Sequence, residues 1–268
     1  MELKLQKTLP YFAVRGLEWY GRFAGLGMLR SAAIRAAAST RQRRAYIAAS
    51  IAYLPPGLRR HVPYLVDVGA NEGQWLSALL EFATVDRLDA FEPHPAACRQ
   101  LRDATRHLPS ARVHQLAAGA RAERRVLHGA GYTTFSSLLP VSPIVAQEYE
   151  VGAGDVVDEF DVEVAPLDAV LTDRQPIDLL KLDVQGFERQ VLAGAGATLR
   201  RTRVLLMETM FVSHYVGDDS FADLYQLVTE KHGFKFWNLA APIYSSSGQA
   251  LWADAVFINP TLEKEASS

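Results

Sequence analysis

The sequence predicts an α/β domain with a mainly parallel sheet and helices on both faces, preceded by a helical extension. Short apolar runs alternate with helical patterns across residues 61–260, and this alternation is typical of βαβ units. A glycine-containing tight turn directly follows the first apolar run. We therefore divide the chain into an extension at 1–60, one domain at 61–260 and a tail at 261–268.

Each predicted element follows from its own local pattern. Apolar runs typical of buried strands lie at 64–68, 88–91, 112–116, 177–182, 203–208 and 253–258. Helical periodicity predicts helices at 73–83, 94–106, 185–199 and 219–232. Two further stretches, 123–128 and 158–165, have the pattern of short added strands. The segment 129–157 is rich in Gly, Ser and Thr, so we predict a long polar loop there.

The extension is basic, whereas the domain is acidic. Residues 1–62 carry eleven Lys and Arg against two acids, and residues 63–268 carry seventeen against twenty-eight. The stretch 10–54 is helical and amphipathic in pattern. It is either a cap packed on the domain or a contact with an anionic membrane surface. Nucleic acid is disfavoured as a partner, because the acidic domain would repel phosphate.

Cysteine usage and hydropathy point to the cytoplasm. Cys98 is the only cysteine, so an internal disulfide and a cysteine-based metal site are both excluded. Residues 1–9 have scattered charges without an apolar segment, and no run approaches the roughly 18 apolar residues that span a bilayer. We expect a cytoplasmic protein, with peripheral contact to the inner membrane surface through residues 1–60 as the alternative.

The turn after the first strand has the residues of a nucleotide-binding loop. Gly69 and Gly73 permit positive φ and a close approach of the backbone to a ligand. Asn71, between them, is among the few other residue types that tolerate the left-handed region. The helix that follows offers free N–H groups to an anionic ligand group.

The second strand ends in an acid at the place where a ribose needs an acceptor. Glu92 lies 19 residues after Gly73 and precedes Pro93. A carboxylate there can accept hydrogen bonds from both ribose hydroxyls. The alternative is a surface acid before a turn proline, but the turn and the spacing together favour ribose binding.

Two cofactors compete for this turn. A NAD site usually has the pattern Gly-x-Gly-x-x-Gly, whereas this chain has Gly-x-Asn-x-Gly preceded by Asp67. An acid at position 67 suits the ammonium group of S-adenosylmethionine, directly or through water, and would repel a pyrophosphate. No Gly-Lys-Ser/Thr phosphate loop occurs in the sequence, which disfavours a nucleotide triphosphatase.

The carboxyl ends of the other strands supply further candidates, because ligands of parallel α/β sheets lie at that edge. Asp183 ends a buried apolar run, where an acid is costly without a partner. Glu208 ends the next run. Ala117 follows the third strand, where a small residue either leaves room for adenine or simply packs closely.

The ordered set VDVGANEG, FEP, AAGA, SSL, KLDVQGFE, LLMET and DAVFIN resembles the FkbM family of S-adenosylmethionine-dependent methyltransferases, over roughly residues 62–260. The resemblance implies a Rossmann-like class I methyltransferase fold. It also implies O-methylation of a hydroxyl on a sugar, glycolipid or secondary metabolite. Ser136, in the SSL segment, is then expected to line the cofactor or acceptor pocket, with a polar turn as the alternative.

Methyl transfer to a hydroxyl needs either a base or a metal, because an aliphatic hydroxyl is a poor nucleophile. In the first arrangement Asp183 or His214 takes the proton. In the second, Asp183 and Glu208 bind a divalent cation such as Mg²⁺. Since two acids are a thin ligand set, we favour the metal-free arrangement.

Two other functions stay open at this point. A NAD-dependent oxidoreductase is disfavoured by the short turn and by Asp67. A non-catalytic cofactor-binding protein would use the basic extension for docking, and Asp183 and Glu208 argue against it. For the methyltransferase, the predicted acceptor is a small molecule, a glycan or a lipid-linked molecule.

Overall fold

The computed structural model describes residues 47–130, 133–148, 156–245 and 247–265. Most of the predicted extension and the end of the tail lie outside the described residues. The predicted helices and membrane contact of residues 1–46 therefore belong to the part of the chain without a structural description.

Seven strands form one sheet, which is mainly parallel as the sequence predicts and has one strand more than the six predicted for it. The strands within the described residues are β1 (His61–Val68), β2 (Thr84–Phe91), β3 (Ala111–His114), β4 (Ala117–Ala118), β5 (Glu123–Ala130), β6 (Val156–Ala165), β7 (Ile177–Leu182), β8 (Thr202–Met210), β9 (Lys235–Tyr244) and β10 (Ala250–Ile258). The large sheet has the order β3-β2-β1-β7-β8-β10-β9. Its strands β3, β2, β1, β7 and β8 pair in parallel, and β10 is antiparallel to both of its neighbours. The carboxyl ends of the parallel strands therefore share one edge.

Short helices lie between these strands and after the last one. They are α1 (Gln74–Leu79), α2 (Pro95–Thr105), α3 (Pro143–Glu148), α4 (Leu167–Val170), α5 (Glu188–Ala193), α6 (Gly196–Arg200), α7 (Phe221–Gln226) and α8 (Pro260–Glu265). The predicted helix at 185–199 is thus two helices, and it begins only after the positive-φ residues Gln185 and Gly186. None of the described helices is long and apolar enough to cross a membrane.

Apolar side chains cover both faces of the large sheet. One face carries Leu180 and packs against α5. The other, which we call the α1 face, carries Leu65 and Leu179 and packs against α1. Ile47 and Ile51 are buried in this second cluster. The last part of the predicted extension, from residue 47 onward, is therefore integral to the core of the domain.

The predicted added strands are present and form a second sheet in the order β4-β6-β5. Strand β9, by contrast, does not follow from the sequence pattern, because it contains Pro242, which cannot donate to a ladder. The structure places β9 at the edge of the large sheet, and its pairing with β10 has register shifts between Ala250 and Asp254. An edge position with a bulge tolerates proline, which explains the strand.

Candidate active site

The turn after β1 has the left-handed backbone that its residues predict. The φ angles are 78° at Gly69, 48° at Asn71 and 85° at Gly73. A Cβ at Gly69 would lie 1.7 Å from the carbonyl oxygen of Asp183. The first glycine is therefore required by the contact between the ends of β1 and β7, in addition to any ligand.

Glu92 joins this turn to the end of β2. Its Oε2 accepts a hydrogen bond from the backbone N–H of Asn71 at 2.8 Å, and its Oε1 accepts one from the N–H of His94 at 2.7 Å. Burial raises the pKa of Glu92 to about 7, although both backbone donors act in the opposite direction. The structure thus brings together Asn71 and Glu92, two of the residues that the sequence predicts to bind one cofactor.

Asp67 does not open onto a cleft. It is fully buried, and its Oδ1 lies 3.3 Å from Nζ of Lys181, the residue that pairs with it across β1 and β7. Burial raises the pKa of Asp67, and the nearby lysine lowers it. The carboxylate therefore faces a cation of the protein itself, so the expected direct contact with a cofactor ammonium group is not available in this arrangement.

Lys181 is a functional candidate that sequence reasoning missed. Its Nζ also lies 3.2 Å from Oδ2 of Asp183, and the lysine side chain is only 5% exposed. Burial opposes the charge, but Asp183, Asp67 and Asp254 together raise the pKa of Lys181. The signal was present in the sequence, because Lys181 stands one residue from the end of a largely apolar strand.

Gln185 is the second residue that the sequence analysis passed over. Its Nε2 donates to Oδ1 of Asp183 at 2.7 Å and to Oε2 of Glu208 at 2.6 Å. Its Oε1 accepts the hydroxyl hydrogen of Tyr215. The hydroxyl of Ser137 donates to its backbone carbonyl at 2.6 Å. Gln185 therefore connects the two predicted catalytic acids with two elements distant in sequence.

Two glutamates near Asp183, Glu188 and Glu208, are buried and differ in their surroundings. Burial raises the pKa of Glu188 to about 7, and its Oε1 accepts from the backbone N–H of Val184 at 3.1 Å. This bond closes the turn before α5. Burial also raises the pKa of Glu208 well above its ordinary value, and the charges of Asp183, Glu188 and Asp254 raise it further. Burial and these three acids thus all favour the protonated form of Glu208.

His214 lies in the loop after β8 and is buried, with 1% of its surface exposed. Its Nδ1 is 2.6 Å from the carbonyl oxygen of Val212, a geometry in which Nδ1 carries the hydrogen and donates. The basic lone pair then resides on Nε2. The same loop carries Tyr215, which contacts Gln185.

The remaining predicted residues, Ala117 and Ser136, make their contacts away from Asp183 and Glu208. Ala117 is buried and pairs with Val164 across β4 and β6. The Ser136 hydroxyl accepts a hydrogen bond from the backbone N–H of Ala130 at 3.2 Å. Its neighbour Ser137 is the serine that reaches the centre, through Gln185.

The centre presents one accessible carboxylate between two donors. Asp183 has a side chain that is 35% exposed, and Lys181 and Gln185 each donate to one of its oxygens. The amide nitrogen of Gln185 stands between Asp183 and Glu208, where a bridging cation would otherwise lie. Across the described ranges, no group of three or more His, Cys, Asp or Glu side chains could hold a metal ion.

The mainly parallel sheet and the turn after β1 define a Rossmann-like fold of the class I methyltransferase type. A solved methyltransferase FkbM from Methylobacillus flagellatus KT matches with a TM-score of 0.50 and 19% identity, over 78% of this chain and 47% of that one. The chain thus spans about half the length of that protein, and the likeness shows the fold.

The methyltransferase FkbM domain matches residues 67–236, which is more than half of the chain. The chain belongs to the FkbM methyltransferase family and is a methyltransferase, as the sequence motifs predict. A known relative, the 2-O-methyltransferase NoeI of Sinorhizobium fredii (strain NBRC 101917 / NGR234), is 28% identical over 168 residues, 60% of this chain and 68% of the relative.

Proposed function

We propose that this protein is an S-adenosylmethionine-dependent O-methyltransferase that acts on a hydroxyl of a sugar, glycolipid or secondary metabolite. The observation that carries the proposal is the contact between the turn after β1 and Glu92, beside the accessible carboxylate of Asp183. The turn and Glu92 suit the binding of a nucleoside, and the carboxylate of Asp183 suits the removal of a proton.

The cofactor would lie along the turn at the carboxyl edge of the sheet. Each oxygen of Glu92 accepts one backbone hydrogen bond and keeps a lone pair for a ribose hydroxyl. Gly69, Asn71 and Gly73 shape the turn. Asp67 would act on the cofactor electrostatically, as the anion of its ion pair with Lys181. Ala117 and Ser136 stay candidates for the edge of the pocket.

Bound S-adenosylmethionine would supply a methyl group on a positively charged sulfur. Asp183 would accept the proton of the acceptor hydroxyl, and this would activate the hydroxyl oxygen toward the methyl group that the cofactor would supply. Lys181 and Gln185 fix both oxygens of Asp183 for this step. His214 is the second candidate for the base, since its Nε2 bears the lone pair.

The acceptor class rests on the relative and on the chemistry of the site. NoeI is named a 2-O-methyltransferase, which supports a hydroxyl acceptor for this chain also. The basic residues of 1–60 would favour an anionic or lipid-linked acceptor at a membrane surface.

Cofactor binding is expected to depend on the ionised form of Glu92. The carboxylate accepts ribose hydroxyls, and the free protein holds the pKa of Glu92 at about 7. Affinity for S-adenosylmethionine should therefore fall as the pH is lowered below 7, by up to about tenfold per pH unit. Glu92→Gln should weaken binding at pH 8 by roughly 10–100-fold, because hydrogen bonds to a charged acceptor are lost, and should flatten the pH dependence.

Calorimetric titration with S-adenosylmethionine, and separately with NAD, measures these effects. Glu163→Gln, the same change on the exposed face of β6, is the control and should bind as wild type does. Binding of NAD without S-adenosylmethionine would overturn the proposed function. Unchanged affinity in Glu92→Gln would remove Glu92 from the ribose contact.

Methyl transfer is expected to be independent of divalent cations. The Gln185 amide already donates to both acids that a cation would bridge, so a cation would have to displace it. Incubation with EDTA should leave the rate of methyl transfer from labelled S-adenosylmethionine unchanged. A loss of rate that added Mg²⁺ or Mn²⁺ restores would instead establish the metal arrangement at Asp183 and Glu208.

A further inference from the structure

We propose that Gln185 is a positioning residue of this enzyme, whose side-chain amide holds the carboxylates of Asp183 and Glu208 in fixed orientations. The inference deepens the proposed function and rests on it, because it assigns Gln185 to the base that would activate the acceptor.

The hydrogen bonds of the amide are completely allocated among three partners. An amide NH₂ group has two hydrogens. One is directed to Oδ1 of Asp183 at 2.7 Å and the other to Oε2 of Glu208 at 2.6 Å. A single neutral group therefore links two acids that would repel each other without a donor between them.

Tyr215 determines which end of the amide faces the acids. Its hydroxyl donates to Oε1 of Gln185, so the NH₂ end must point the other way. Tyr215 is fully buried. A Cβ at Gly186 would lie 3.0 Å from the Tyr215 ring, so the glycine leaves the room that this tyrosine needs. The orientation of the amide is thus set by packing as well as by hydrogen bonding.

The backbone of Gln185 supports a special role for this residue. Its φ is 57°, in the left-handed region that residues with a Cβ rarely adopt. The Ser137 hydroxyl holds the carbonyl of the same residue at 2.6 Å. A glycine would relieve the strain, but it would remove the amide from between the acids.

The Gln185 amide matters because several ionisable side chains surround Asp183 and Glu208. The groups that act on Asp183 and Glu208 from neighbouring elements are Lys181, Asp67, Glu92, Glu188 and Asp254. Lys181 is the only cation among these five. Nζ of Lys181 lies 3.2 Å from Oδ2 of Asp183. Glu208 accepts its hydrogen bond from the side-chain amide of Gln185 instead. Without this donor, Glu208 should hold its proton more tightly.

The test follows the titration of Glu208 by ¹³C NMR in protein labelled at the glutamate carboxyl carbon. The Glu208 signal is assigned by its disappearance in Glu208→Gln. Gln185→Leu should raise the pKa of Glu208 by a further amount of about one pH unit, because a donor to the carboxylate is lost. Tyr215→Phe should raise it less, because the amide stays but is free to turn.

Gln190→Leu makes the same change at an exposed position of α5 and should leave the Glu208 titration unchanged. Calorimetry with S-adenosylmethionine accompanies each titration, and Gln185→Leu should bind as wild type does. If Gln185→Leu does not fold, Tyr215→Phe carries the test. An unchanged Glu208 titration in the folded variants overturns the inference alone, whereas failure of wild type to bind S-adenosylmethionine overturns the proposed function.

Discussion

Replacing Asp183 by asparagine is expected to lower the rate constant for methyl transfer by roughly 10²–10⁴-fold, the usual contribution of a positioned general base. An amide cannot take the hydroxyl proton. Lys181 and Gln185 both donate to Asp183, so the NH₂ group of asparagine would also face a donor. Binding of S-adenosylmethionine should persist, because the turn and Glu92 follow β1 and β2, whereas Asp183 follows β7.

The measurement is the transfer of a labelled methyl group from S-adenosylmethionine across a panel of glycosides and glycolipids, with calorimetry for the cofactor. Asp86→Asn is the control, since Asp86 is 63% exposed and lies on β2 toward the other end of the sheet. A full rate in Asp183→Asn, combined with a lost rate in His214→Gln, would assign the base to His214. Loss of cofactor binding in Asp183→Asn would point to a structural role.

Replacing Lys181 by methionine is expected to destabilise the fold by about 3–5 kcal/mol near pH 8, the usual cost of removing one partner of a buried ion pair. The substitution leaves Asp67 fully buried without its cation. Because burial already raises the pKa of Asp67, this carboxyl takes up a proton as the pH falls. The loss of stability should therefore be largest at high pH and should shrink toward pH 5.

Urea unfolding at pH 8 and pH 5 measures this difference. Lys235→Met removes an exposed lysine from β9 and should change stability by no more than about 0.5 kcal/mol. Adding Asp67→Leu to Lys181→Met removes the stranded carboxylate and should restore much of the stability. An equal loss at both pH values, without rescue in the double variant, would show that packing of the lysine stem matters more than its charge.

Local patterns were sufficient for the strands that form the centre of the sheet. Largely apolar runs such as 64–68 and 177–182 predict β1 and β7 because a strand buried on both faces carries few polar residues, here Asp67, Asp178 and Lys181. The glycine turn and Glu92 follow from spacing along the chain. Strand β9 did not follow, because the effect of Pro242 depends on whether the strand lies at an edge, and the sheet order decides that.

The sequence by itself therefore determined the class of fold, the left-handed turn after β1 and the family of the enzyme, since each follows from short local patterns and their order along the chain. Only the tertiary structure decided that Asp67 faces Lys181 and that Gln185 lies between Asp183 and Glu208. These contacts depend on the register of β1 against β7 and on the path of the loop that carries Tyr215. Register and loop path are set by the packing of the whole domain, which no local pattern contains.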